Sequence, residues 1–258
     1  MAANQFLILG DSLFDFTTYI KVEYGDMNKV KIMTKSYFTE LKTALDKVKI
    51  SDIEKVAEVL LEAYKNDKTI FLLGNGGAAA TASHIACDLG KGTLTNVYDH
   101  TEKRFRVISL TNNVSIMTAF ANDLSLDDMF VQQLHSLVGS GDIVIGISGS
   151  GNSPNVIKAF MYAKQCGATT VGFLGYHSGG KAKAFVDYDI TVKSSNYGII
   201  EDIHMSLGHV LTTCLSYLKR YLYEQKNLTG SNKFTKRNLK RSIKGNIPSE
   251  WTERSARR

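Results

Sequence analysis

Two turns rich in glycine and small residues, each set between a strand-like apolar run and a helix-like run, constrain this chain more than any other feature. The first reads TIFLLGNGGAAATASHIACDLG over residues 69–90, and the second DIVIGISGSGNSPNVIKAF over residues 142–160. A strand that enters a helix through small residues leaves free backbone N–H groups at the positive end of the helix dipole. That geometry binds anions, phosphate above all. Two such turns in one open sheet point to a pocket for a phosphorylated small molecule.

The second turn carries the sharper signal. Ser148, Ser150 and Ser153 supply three hydroxyls within six residues, and Gly149 and Gly151 permit close backbone approach. Ser153-Pro154 is a helix start, with Ser at the N-cap and Pro at the first helical position. One serine would satisfy an ordinary capped helix, so three hydroxyls around two glycines favour phosphate binding. The first turn, Gly74-Asn75-Gly76-Gly77-Ala78-Ala79, formally fits the dinucleotide fingerprint. That fingerprint expects an acid at the end of the next strand, to hold the ribose. The next candidate strand ends in Thr111-Asn112-Asn113 instead, which argues against a nicotinamide enzyme.

Short apolar runs alternate with helical ones along most of the chain. Strands are expected at Thr69–Leu73, Phe105–Leu110, Ile143–Ile147, Thr169–Leu174 and Tyr188–Val192. Helices are expected at Lys35–Lys47, Ile53–Tyr64, Ala78–Leu89, Val114–Phe120, Asp127–Leu137, Pro154–Gln165 and Ile200–Tyr223. Ser51-Asp52 caps the second of these, and Ser51 to Glu54 matches a capping box. Residues 5–9, FLILG, read as a further buried strand. This alternation predicts an α/β fold with a parallel sheet covered on both faces. Ligands in such sheets lie at the carboxyl ends of the strands, where both turns fall.

At 258 residues and 43% hydrophobic content, the chain suffices for one large α/β domain with appendages. No apolar run approaches a membrane span, and no secretory signal is read, so a cytoplasmic protein is expected with no membrane contact. Cys87, Cys166 and Cys214 are scattered and lack a C-x-x-C pattern; they read as reduced, mostly buried thiols. The net charge of +6 belongs to a tail: residues 226–258 hold ten Lys/Arg and two Glu, leaving the rest at −2. Such a tail reads as a solvated extension rather than as a nucleic-acid contact.

His84 and Asp88 are four residues apart and share one helix face. Glu201, His204 and His209 lie on the long C-terminal helix, where Glu201 and His209 are two turns apart and diverge by about 80°. An imidazole and a carboxylate from each helix can hold zinc or act as acid and base. Spacing alone favours the plainer readings, a His84–Asp88 ion pair and a Glu201 carboxylate at a helix N-terminus. Asn122-Asp123 fits either a turn or a contact to sugar hydroxyls. His177-Ser178-Gly179-Gly180-Lys181 forms a third loop at the carboxyl edge, with Lys181 read as solvated.

The segments GNGGAAATASHIACDL, LTNNVSIMTAFANDLSLDDMF, GDIVIGISGSGNSPNVIKA, GFLGYHSGGK and EDIHMSLGH, in that order, resemble the sugar isomerase (SIS) domain family, and within it the sedoheptulose 7-phosphate isomerases (phosphoheptose isomerases). The similarity covers about residues 35–224. It implies a flavodoxin-like three-layer α-β-α sandwich with a five-stranded parallel sheet and extra N-terminal helices. Residues 1–34 then form an N-terminal extension, 35–225 the SIS domain and 226–258 the basic tail. The implied assembly is a homotetramer with active sites at subunit interfaces. The implied reaction turns sedoheptulose 7-phosphate into D-glycero-D-manno-heptose 7-phosphate, the first step toward nucleotide-activated heptose.

By position, the resemblance gives the phosphate to Ser148, Gly149, Ser150 and Ser153, and the sugar to Asn75, Gly76, Gly77, Asp123 and Glu201. It implies one zinc ion per subunit on His84, Asp88, Glu201 and His209, with Asp88 and His209 moving the proton through an enediol. Three positions depart from the family pattern: Asp88 stands for a usual Glu, Glu201 for a usual Gln and Ala78 for a usual Ser. Asp for Glu withdraws the carboxylate by about 1.5 Å, and misplacement of ~1 Å can cost about a hundredfold in rate. A non-catalytic SIS module that senses a sugar phosphate or binds a partner, and an isomerase for another sugar phosphate, are the competing readings. Residues 4–23 also resemble the opening strand of a ribokinase-like heptose phosphate kinase; one strand carries no kinase activity.

Overall fold

The computed structural model describes residues 27–230. The strand expected at residues 5–9, the kinase-like stretch and the tail beyond Gly230 lie outside the described residues. Five strands form one all-parallel sheet: β1 (Thr69–Gly74), β2 (Arg106–Ser109), β3 (Ile143–Ser148), β4 (Thr169–Leu174) and β5 (Tyr188–Thr191). Their spatial order, β2-β1-β3-β4-β5, is the flavodoxin-like order. The register runs Ile70 to Ile143, Ile143 to Thr169 and Val171 to Tyr188.

Among the described residues seven α-helices accompany the sheet: α1 (Met27–Leu45), α2 (Ile50–Lys65), α3 (Gly77–Cys87), α4 (Val114–Asp123), α5 (Met129–Leu137), α6 (Pro154–Gln165) and α7 (Tyr197–Gly230). The central strands β1, β3 and β4 are buried on both sides because successive side chains feed opposite layers, while the edge strands β2 and β5 are more open. In β1, Ile70 and Leu72 join Leu60, Ile85, Ile203 and Leu207 of α2, α3 and α7. Phe71 and Leu73 join Phe130, Phe160 and Ala163 of α5 and α6. Each such side chain contributes about 1.5–3 kcal/mol when fully buried, so the continuous apolar runs of the sequence become the seam between two cores. Among the described residues no helix is long and apolar enough to cross a membrane.

Several boundaries differ from expectation. The first helix starts at Met27 rather than Lys35, because its first turns are a solvent-exposed helix without an apolar period to announce them. The capping box at Ser51 does not form. Lys49 takes the N-cap conformation without a side-chain bond, and Ser51 lies inside the first turn of α2. The fifth helix begins at Met129, two residues late, after a turn in which Ser125 donates to Asp128 at 2.5 Å. The helix expected to run to Leu89 gives way at Asp88 to a π-helical turn, Asp88–Gly92. Two poor helix formers, Gly90 and Gly92, fall there, and Thr93 Oγ1 donates to the Leu89 carbonyl at 2.7 Å. The thiols are not buried as expected: Cys87 and Cys214 are exposed and Cys166 is half-buried, all three free.

Candidate active site

The second turn is locked by backbone contacts. Gly151 N–H donates to the Ser148 carbonyl at 3.2 Å and to Ser148 Oγ at 3.1 Å. Ser148 Oγ lies 3.3 Å from Ser153 Oγ, and Asn152 N–H donates to Ser150 Oγ at 3.1 Å. Gly151 has φ +61°, and a Cβ there would overlap the Gly179 carbonyl oxygen. The third loop therefore clasps the second turn: Ala182 N–H donates to the Gly151 carbonyl at 2.8 Å, and Lys181 N–H to Asn152 Oδ1 at 3.0 Å. Pro154 opens α6 as expected, and Ser153 occupies its N-cap, but the Ser153 hydroxyl makes no capping bond. It stays beside Ser148, so these two hydroxyls face each other instead of one being spent on the helix.

The first turn is tied to the second by a residue that sequence reading passed over. Asn155, buried in the first turn of α6, exchanges amide bonds with Asn75: Asn75 Nδ2 donates to Asn155 Oδ1 at 2.9 Å, and Asn155 Nδ2 to Asn75 Oδ1 at 3.0 Å. The available signal was a polar residue in a helix otherwise facing the core. Gly76, at φ +55°, caps α3. Gly77 brings the helix backbone under the Glu201 carboxylate, whose oxygens would lie 2.8 Å from any Cβ added there.

One face of α3 meets one face of α7. Gly77 opposes Glu201 and His84 opposes His209, seven and eight residues further on, so the helices run side by side in the same direction. His84 Nε2 is 2.9 Å from His209 Nε2 and 3.3 Å from Asp88 Oδ2, and His209 Nε2 is 3.7 Å from the same oxygen. At 2.9 Å one imidazole donates and the other accepts. The three side chains are 46%, 56% and 27% exposed for His84, His209 and Asp88, so a ligand can reach them. Their donor atoms lie within 4.8 Å of one another. Tetrahedral ligands at 2.0–2.1 Å from zinc stand about 3.3 Å apart, which these separations bracket. The residues present fit a metal ion.

Glu201, the expected fourth ligand, stands outside this cluster against Gly77, because eight residues separate it along α7 from His209. Asp123 is exposed at the end of α4, where Asn122 Nδ2 donates to it at 2.9 Å; it is not part of the His84–Asp88–His209 cluster. His204 is a core residue. Its Nε2–H donates to the Leu174 carbonyl at 3.0 Å, and burial pushes its imidazole down to about 4. Ala78 is buried at the start of α3, in the core layer.

Comparison with known proteins assigns the chain a family. The SIS domain model matches residues 36–175. The chain belongs to the SIS-domain family. Among relatives of this SIS protein, the phosphoheptose isomerase of Clostridium acetobutylicum is 37% identical over 162 residues, covering 63% of this chain and 80% of that protein. That of Aquifex aeolicus is 37% identical over 172 residues, covering 67% and 87%. The solved structure of phosphoheptose isomerase GmhA from Neisseria gonorrhoeae superposes with a TM-score of 0.66 at 29% identity, covering 73% of this chain and 99% of that one. The SIS protein is an enzyme, an isomerase.

Proposed function

We propose that this isomerase converts sedoheptulose 7-phosphate to D-glycero-D-manno-heptose 7-phosphate. The observation that carries the reading is a linear array. The serine turn lies at the strand ends, Asn75 and Glu201 lie beside it, and His84, Asp88 and His209 lie further down α3 and α7. Seven residues of helix separate Gly77 from His84, roughly 10 Å of axial rise. A phosphate held at the turn and a seven-carbon chain extended along the two helices place the carbonyl end beside the imidazoles. Ser148, Gly149, Ser150 and Ser153 hold the phosphate, while Asn75, Gly76, Gly77, Asp123 and Glu201 serve the hydroxyls.

Ketose–aldose interconversion moves a proton between C1 and C2 through an enediol. Asp88 and His209 are the groups that take and return it, and His84, 2.9 Å from His209, orients that imidazole. Zinc is the proposed ion for these three side chains; held by them it would supply Lewis-acid stabilisation of the enediolate oxygens, and the proton would then be carried by the Asp88 carboxylate oxygen that the ion leaves free, because a metal-held imidazole nitrogen has no lone pair for it. The proposed assembly is a homotetramer, and the exposed Val30, Met33 and Phe38 on α1 offer it apolar surface.

Turnover of sedoheptulose 7-phosphate by the purified chain, with zinc and with a chelator, tests the reading. Heptose 7-phosphate is expected from the native chain, with Asp88→Ala and His209→Ala each reducing the rate by about 10²–10⁴-fold. Loss with chelator and return with zinc supports the metal assignment. No turnover under any condition, with sugar phosphate still bound, favours a non-catalytic sensing module or a different sugar.

A further inference from the structure

Two tyrosines that the mechanism does not use lie at the serine turn, one packed on Gly149 and the other on the first and next to Gly175, which backs on the Gly149 carbonyl. Tyr197 is the first residue of α7, and its ring is so close to Gly149 that a Cβ on that glycine would lie 2.9 Å from the ring carbon Cζ. Tyr176 lies two residues beyond β4, next to Gly175, and meets Tyr197 edge-on, with ring centroids 6.2 Å apart at 68°. Both rings remain open to solvent, at 37% for Tyr176 and 46% for Tyr197. Tyr176 also holds φ +52°, a left-handed conformation unusual for a bulky residue. Its loop is fixed on both sides: Gly179 N–H donates to the Gly175 carbonyl at 3.1 Å, and the Ser195 hydroxyl lies 3.4 Å from His177 Nε2. A bulky side chain in a strained backbone, kept half-exposed beside a ligand loop, is poor use of an aromatic ring for folding alone.

We propose that Tyr176 and Tyr197 are specificity-determining residues, an aromatic wall on the serine turn that selects anions whose phosphate is joined to a C–H-rich chain. The inference rests on the reading above, in which that turn holds the phosphate. A phosphate seated on Ser148, Ser150 and Ser153 leaves its ester carbons against the ring surfaces. There the electron-rich ring faces meet C–H groups, and apolar contact is removed from water. Inorganic phosphate presents no such carbons and gains nothing from the wall.

Calorimetric titration of the full chain with sedoheptulose 7-phosphate, fructose 6-phosphate, ribose 5-phosphate and inorganic phosphate tests this. Tyr197→Ala, and Tyr176→Asn, which tolerates the left-handed backbone, are each expected to weaken the preferred sugar phosphate about five- to tenfold, the loss that goes with roughly 50 Å² of apolar contact. Inorganic phosphate should change less than about twofold, and Tyr197→Phe and Tyr176→Phe should retain native affinity. Equal losses for sugar phosphate and inorganic phosphate would make the rings structural props and overturn the inference. So would a Tyr197→Phe loss as large as that of Tyr197→Ala, which would assign the contact to the hydroxyl. Native affinity for every sugar phosphate no better than for inorganic phosphate also overturns it. Turnover separates the two readings. If sedoheptulose 7-phosphate is not converted yet another sugar phosphate shows the tyrosine-dependent preference, the isomerase substrate is wrong and the wall stands. If sedoheptulose 7-phosphate is converted with KM unchanged in both variants, the wall falls and the substrate stands.

Discussion

The serine turn and the His84–Asp88–His209 cluster are built in opposite ways. The turn is made by backbone: its shape depends on Gly151 lying against Gly179, and on N–H groups whose positions side chains merely pin. The cluster is made by three partly exposed side chains on two helices whose backbones would run the same course without them. Binding a phosphate needs donors fixed in advance, whereas moving a proton needs groups that change state. The first is a folding problem, and the second is grafted onto a fold already complete.

That contrast predicts opposite costs. Gly151→Ala inserts a Cβ into the Gly179 carbonyl oxygen at a left-handed φ. The expected loss is about 4 kcal/mol, a fall in Tm of roughly 10 °C, together with loss of phosphate binding. His84→Ala, on an exposed helix face, should change stability by no more than about 0.5 kcal/mol while reducing turnover by about 10²-fold or more. Thermal melts and kinetics on both variants decide the matter. A stable Gly151→Ala protein that binds phosphate normally would dissolve the distinction.

A second comparison lies within α7, between exposed His209 and buried His204. The His204 imidazole, held near 4 by burial against the 6.5 of a free histidine, is neutral in the folded protein where the unfolded chain is protonated. Between those values the unfolded state binds the extra proton, so this residue lowers stability as pH falls from 6.5 toward 4, by about 3 kcal/mol in total. Above pH 7 it adds no slope. His204→Gln keeps a donor for the Leu174 carbonyl, so it is expected to flatten the pH dependence of urea unfolding across that window at the cost of about 1 kcal/mol at neutral pH. An unchanged slope would mean that other groups govern acid unfolding.

Most of the fold was legible because its signals are local. The five strands were expected to within a residue at each end, since continuous apolar runs between turn residues leave few alternatives. Pro154 marked the start of α6 for the same reason. What failed was chemistry that depends on neighbours. Ser51 has the right type and spacing for a capping box, yet α2 begins at Ile50, with Lys49 at its N-cap two residues before Ser51. The Ser153 hydroxyl was expected to cap α6, and it turns toward Ser148. His84, Asp88 and His209 could be named from resemblance, and His84–Asp88 from helical spacing. Their convergence depends on α3 and α7 running in parallel, which no local pattern encodes. Asn155 had no motif at all, because its partner is 80 residues away.

That amide pair offers the finest test of how the two turns are coupled. Asn155 also accepts from Val156 N–H at 2.9 Å, so one buried side chain serves the start of α6 and the floor of the first turn together. Asn155→Ala should cost about 1–2 kcal/mol, and Asn75→Ala less, because Asn75 is exposed and its former partner keeps the Val156 bond. If the pair transmits order from the rigid serine turn to the sugar-facing first turn, the double variant should be less destabilised than the two singles combined, by about 1 kcal/mol. KM for the sugar phosphate should also rise by a similar factor in all three, since each leaves the first turn without its anchor. Additive stabilities, with KM altered only where Asn75 itself is removed, would instead make the turns independent. Asn155 would then be a plain helix-start residue, and the array along α3 and α7 would owe its alignment to helix packing alone.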